Sequence, residues 1–174
     1  MAKTPFLIRE DITLDNTSAA VVQKTIDLGS YTNLGSSKPE VLRIHRIDFL
    51  VTQTDGADLP TIGANATATC NWQITTQDNG TAFVLGSDDS FVSGANLSYR
   101  NTDGAGARQP SQGIEQNVMP QDYESGYVVA VPNLFLVGAL DTDWSEDVTV
   151  SLIMQCTTEP MSKANAVSLA ISQQ

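Results

Sequence analysis

VLRIHRIDFLVTQ, residues 41–53, is the stretch whose reading decides the fold. Val41, Ile47, Phe49 and Val51 share one parity with Arg43 and His45. Leu42, Ile44 and Leu50 share the other with Arg46, Asp48 and Thr52. Side chains alternate across a strand, so a period of two over this length means β structure. Both parities are partly apolar, which predicts a central strand covered on both sides along part of its length.

Working outward, ATATCNWQITT (66–76) sets Ala66, Ala68, Cys70, Trp72 and Ile74 against Thr67, Thr69, Asn71, Gln73 and Thr75. That is a one-sided strand with Trp72 in the core. DVTVSLIMQC (147–156) alternates likewise, with Val148, Val150, Leu152, Met154 and Cys156 on one face. Further strands are expected at 5–14, 20–28 (where Lys24 interrupts the apolar parity), 81–85, 91–99 and 127–137. Asp15-Asn16-Thr17, residues 29–39, Asp55-Gly56 and Asp78-Asn79-Gly80 supply the turns, the last as a hairpin into 81–85. Residues 101–124 hold few bulky apolar side chains and many turn formers, so this long polar connection reads as either functional or disordered. In the tail, Met161, Ala164, Val167 and Ile171 recur at helical spacing after Glu159-Pro160, and a strand pattern also fits; the short helix is favoured. The expectation is all-β: one domain over 1–174, an eight-stranded two-sheet sandwich with a polar loop at 101–124 and a tail at 160–174. A jelly roll is expected, with an immunoglobulin-like sandwich as the alternative.

Composition agrees. Only 17% of the 174 residues are charged, so polarity comes largely from Ser, Thr, Asn, Gln and Gly, which suit turns and exposed strand faces. The net charge of −11 argues against direct nucleic-acid binding, which depends on cationic side chains. No signal peptide and no stretch approaching a membrane span is visible. Synthesis in a cytoplasm is therefore expected, and Cys70 and Cys156 are expected as buried free thiols. Four Asn-x-Ser/Thr triplets, beginning at Asn16, Asn65, Asn79 and Asn96, recur by chance in so Ser/Thr-rich a chain.

Catalytic and cofactor-binding residues are absent from this reading. There is no phosphate loop, nucleophile elbow or metal-ligand spacing, so no enzyme and no cofactor are expected. His45, the lone histidine, sits near Arg43, Arg46 and Asp48 and reads as a hydrogen-bonded strand residue. Asp141, Asp143, Glu146 and Asp147 are the densest carboxylates and the weak candidates for Ca²⁺. Trp144 and Ser145 fall where an EF-hand needs an oxygen ligand and glycine, so an acidic turn is preferred. Trp144, set among acids, is the aromatic expected at the surface.

The chain resembles the single jelly-roll major capsid proteins of icosahedral viruses of bacteria and archaea. The resemblance is carried by the short non-basic start MAKTPFLIREDITL, the succession of VLRIHRIDFLVTQ, ATATCNWQITT and DVTVSLIMQC, and polar loops without an active site. It implies a virion structural protein whose copies self-assemble into an icosahedral shell. Partners would be further copies and other capsid proteins, often with an internal membrane beneath. The contact elements would be residues 1–9, 101–124 and 160–174, with Phe6, Tyr123, Trp144, Met161, Val167 and Ile171 as interface candidates. Removing 161–174 is expected to leave a folded domain and impair assembly. The alternatives are a carbohydrate-binding or adhesion module and a viral tail, spike or decoration protein.

Overall fold

The computed structural model describes residues 4–110 and 112–173, apart from the side chain of Ile114. Residues 1–3 of the expected N-terminal contact segment and residue 174 of the tail lie outside the described residues. The strands are β1 (Phe6–Leu14), β2 (Val22–Asp27), β3 (Glu40–Gln53), β4 (Thr67–Thr75), β5 (Phe91–Arg100), β6 (Gln112–Val118), β7 (Tyr127–Val129), β8 (Asn133–Leu140) and β9 (Val148–Pro160). A 3-10 turn spans Pro120–Asp122, and one helix, α1 (Lys163–Ser172), follows β9.

The pairing is nested. β4 pairs with β5, β3 with β7, β2 with β8 and β1 with β9, all antiparallel, as in one long hairpin folded on itself. Rolling that hairpin adds β3·β9 and β4·β8. Two sheets result, ordered β1-β9-β3-β7 and β2-β8-β4-β5-β6. This is a jelly roll with β6 appended to the second sheet, and it sets aside the immunoglobulin-like alternative.

The core lies between the sheets. Val148, Val150, Leu152, Met154 and Cys156 of β9 meet Cys70, Trp72 and Ile74 of β4 and Leu134 and Leu136 of β8 there. The two-sided pattern of β3 has a specific cause: the ladder with β9 slips between Ile44 and Arg46, leaving His45 as a bulge. A bulge inserts one residue and flips the parity beyond it. Leu42 and Ile44 before the bulge therefore share the inter-sheet core with Ile47, Phe49 and Val51 after it. Val41 has the opposite parity and is covered from outside by Ala130, Ala166 and Ala170 in a second cluster beneath α1.

Three expectations need correction. Residues 81–85 form no strand, because Gln73 of β4 engages the backbone of Val84 and holds the segment across the sheet face. The single strand expected over 127–137 breaks after Val129. Pro132 lacks an N–H, and the halves enter different sheets as β7 and β8. The connection 101–124 contains β6, which pairs with β5 from Gly94↔Val118 to Arg100↔Gln112. Lys24, the interruption in β2, reaches across the open side of the roll to Glu10 of β1 at 2.8 Å.

Candidate functional site

Backbone groups at the edge of the first sheet are satisfied by glutamine side chains. β7 is the outer strand of that sheet, and Gln173 lies where a further strand would run. Its Oε1 accepts from the Ala130 N–H at 2.9 Å and its Nε2 donates to the Val128 carbonyl at 2.7 Å. Its own carbonyl accepts from Thr76 Oγ1 at 2.7 Å. One carboxamide thus replaces one residue of a neighbouring strand, because it carries a donor and an acceptor spaced like a peptide group. Gln121 does the same beyond the end of β7, where its Oε1 accepts from Ile47 N–H at 3.0 Å and its Nε2 donates to Ile47 O at 2.8 Å. Upstream, Asn101 is a buried hub whose Nδ2 donates to the carbonyls of Ile62, Gly63 and Gly106, each at 3.0 Å. Gly126 adopts φ +63°, and a Cβ there would collide with the Ile44 carbonyl, so only glycine lets β7 start this close to β3.

These contacts tie the tail, expected from the sequence as a contact element removable without loss of the fold, to the edge of the first sheet. The N-terminus of α1 is capped by Ser162, whose Oγ accepts from Asn165 N–H. Ala166 and Ala170 are buried against Val41 and Ala130, with Met161 and Leu169 half-buried beside them. Removing the tail would uncover that cluster and orphan the backbone of Val128 and Ala130. The neighbouring solvent-facing side of the helix presents Val167 and Ile171, 43% and 67% exposed and one turn apart.

The other interface candidates scatter. Tyr123 is exposed just after the 3-10 turn. Phe6 is half-buried and stacks on Tyr31, with ring centroids 4.7 Å apart. Trp144 is a correction: it is 2% exposed. Its neighbours Asp143 and Ser145 project outward, and the turn parity sends the indole inward. There its Nε1 donates to the Thr69 carbonyl at 3.0 Å and its ring forms a T-shaped pair with Tyr99.

Two carboxylates of the acidic turn are occupied with backbone N–H groups, one within the turn and one at the turn after β1. Asp141 accepts from Asp143 N–H and Asp147 accepts from Asn16 N–H. Glu146 is exposed, and among the described residues no three His, Cys, Asp or Glu side chains converge as metal ligands would. His45 bonds Thr157 Oγ1 at 2.9 Å through Nε2. Cys70 and Cys156 are free and buried, and burial pushes both thiols up to about 12, leaving them neutral and poorly nucleophilic. No helix of the described residues is long and apolar enough to cross a membrane.

Sequence reasoning missed the outer face of the second sheet. The register places Asn71 of β4 opposite Asn96 of β5, and Asn96 opposite Gln116 of β6, so three amides form one cross-strand row. The parity of Asn71 was visible in ATATCNWQITT. Its pairing with Asn96 was not, because register between strands is not written in either one, and Gln116 was missed because β6 was not expected.

No protein-family model matches the sequence, and no curated protein does. Solved structures with a related fold include a Merkel cell polyomavirus virus-like particle (9% identity, 92% of this chain and 76% of the other, TM-score 0.42). VP1 of New Jersey polyomavirus (7%, 90% and 100%, 0.42) is another. A third is VP1 of trichodysplasia spinulosa-associated polyomavirus in complex with GM1 oligosaccharide (6%, 89% and 96%, 0.42). The likeness is one of fold. It adds nothing to what the nested strand pairing already establishes.

Proposed function

We propose that this protein is a virion structural protein, a capsid subunit that self-assembles into an icosahedral shell. One observation carries the reading: a helix fastened into the core through Gln173, Ala166 and Ala170 turns an apolar stripe, Val167 and Ile171, to the outside. A monomer gains nothing by displaying that stripe on a rigid support, whereas a neighbouring copy gains ~1–3 kcal/mol for each side chain it buries. Leu7 and Leu50 add exposed apolar area on the outer face of the first sheet. Each contact is modest, and repetition over a closed lattice makes the shell strong.

Within this proposal the shell is that of a virus of bacteria or archaea, as the sequence resemblance implies. Its partners are further copies, other capsid proteins and an internal membrane, for which Lys163 beside the Val167–Ile171 stripe is the suitable contact. The acidic chain makes no direct contact with nucleic acid and catalyses no reaction. It is made in the host cytoplasm and ends in the virion.

Light scattering and negative-stain imaging across salt and protein concentrations test the proposal. Wild-type protein should form capsomers or closed particles. The double variant Val167→Ser/Ile171→Ser should melt as the wild type does and remain smaller. A wild-type protein that stays monomeric under every condition would sink the reading.

A further inference from the structure

The outer face of the second sheet carries a groove of about 430 Å³, a volume typical of small-ligand sites. Its floor is the row Asn71–Asn96–Gln116 with the next row, Gln73–Gly94–Val118, beside it. Gly94 keeps that floor low: a Cβ there would meet the Trp72 carbonyl at 2.8 Å and Gln73 Cβ at 3.1 Å. Phe83, on the irregular segment after β4, and Phe91 flank it. The segment is fixed over the sheet. With its amide oriented to satisfy both groups, Gln73 donates to Val84 O at 3.2 Å and accepts from Val84 N–H at 2.8 Å.

We propose that this groove is a binding site for a neutral saccharide. Asn96 and Gln116 are exposed, so the floor presents carboxamides that stand open to a ligand. Carboxamides both donate and accept, as sugar hydroxyls do, and the row offers both functions at strand spacing. Phe83, 40% exposed, presents an apolar ring on which the C–H face of a pyranose can rest. Among the described residues that line the groove none carries a charge. In a chain of net charge −11 that leaves an anionic sugar without a counter-ion and inside a repulsive field. A peptide adding as a strand would take the backbone of an edge, whereas these amides stand on the face of three paired strands.

The test is a ¹H–¹⁵N titration of the full chain with neutral disaccharides (cellobiose, lactose and N,N′-diacetylchitobiose), alongside an array of neutral, sialylated and sulfated glycans. Shifts should concentrate at residues 71–73, 83–84, 94–96 and 116–118, and neutral chains should be retained on the array. Phe83→Ala and Asn96→Asp change exposed side chains, and melting curves check that both variants fold. Each should weaken binding roughly tenfold or more, the scale of one lost or mismatched hydrogen bond or ring contact. The proposal is overturned if no neutral sugar shifts these amides at millimolar concentration. It is equally overturned if only charged glycans are retained, or if both folded variants bind as the wild type does. Shifts there that grow with protein concentration alone would give the groove to a second copy and overturn it too. Monomeric protein suffices, so failure of assembly and failure of sugar binding are separate results.

Discussion

The two sheets bury one core and turn different chemistry outward. The outer face of the first sheet carries charges and an apolar roof: Arg46 is paired with Asp48 at 2.7 Å, and α1 lies over Val41. The second presents the neutral amides of Asn71, Asn96 and Gln116. Each face is also held by a glutamine with the same task, Gln173 pinning α1 and Gln73 pinning the segment around Val84. A jelly roll fixes which residues point inward and leaves the outward rows open to separate uses. One face suits contact between copies and the other a neutral ligand.

The comparison breaks most visibly at Gln173. Gln173→Ala leaves the buried N–H of Ala130 and the carbonyl of Val128 unmatched, which should cost about 2–4 kcal/mol. The melting temperature should then fall by roughly 5–15 °C, read by calorimetry. Unchanged melting would mean that α1 is held by packing alone.

Gln73→Ala removes the same kind of clamp from the other face. Val84 is half-buried and its neighbours are exposed, so water replaces the lost partner and the expected cost is about 1 kcal/mol. Hydrogen exchange should speed up at residues 82–86 and hold steady around α1. Equal costs at the two glutamines would erase the difference between the faces.

Acid should also act on one face first. Asp78 accepts from Gln23 Nε2 and Gly80 N–H, and Asp88 from Ser90 Oγ and N–H. These bonds hold both carboxyls below their ordinary 3.8. A carboxyl lowered in the folded state stabilises above its unfolded pKa and loses that contribution as pH falls through its folded value. Between pH 5 and 2, the amide signals of residues 78–90 should therefore move and sharpen while those of 163–173 stay put. Simultaneous loss of both sets would point to global unfolding instead.

The smallest effect belongs to the bridge joining the two edges. Lys24 and Glu10 are partly exposed, so Lys24→Gln should cost less than about 1 kcal/mol. Urea unfolding would read it, and a larger loss would make the open side of the roll a structural seam.

How much of this was legible in the chain depends on where each partner sits. β4 and β9 could be read because a one-sided strand writes its parity into consecutive residues. Trp72 in the core followed from that parity alone. Trp144 could not be read this way: its burial depends on Thr69 and Tyr99, which a distant strand and its neighbour bring to the turn. β6 was hidden because its edge position lets nearly every residue be polar, leaving no apolar alternation to find. Of the interface candidates, Val167 and Ile171 were visible as a helical repeat. Which side of that helix faces out was settled only by Ala166 and Ala170 meeting Val41.

The sequence by itself determined an all-β chain with a short terminal helix, the parity of its strongest strands, and a surface rich in amides and poor in charge. These are local properties, carried by period and composition. Tertiary structure alone decided the nested pairing, the bulge at His45 that brings both parities of β3 into one core, and the glutamines that stand in for missing strands. Each of those depends on a donor, an acceptor or an apolar surface supplied from far along the chain, and no local pattern records which distant residue will provide it.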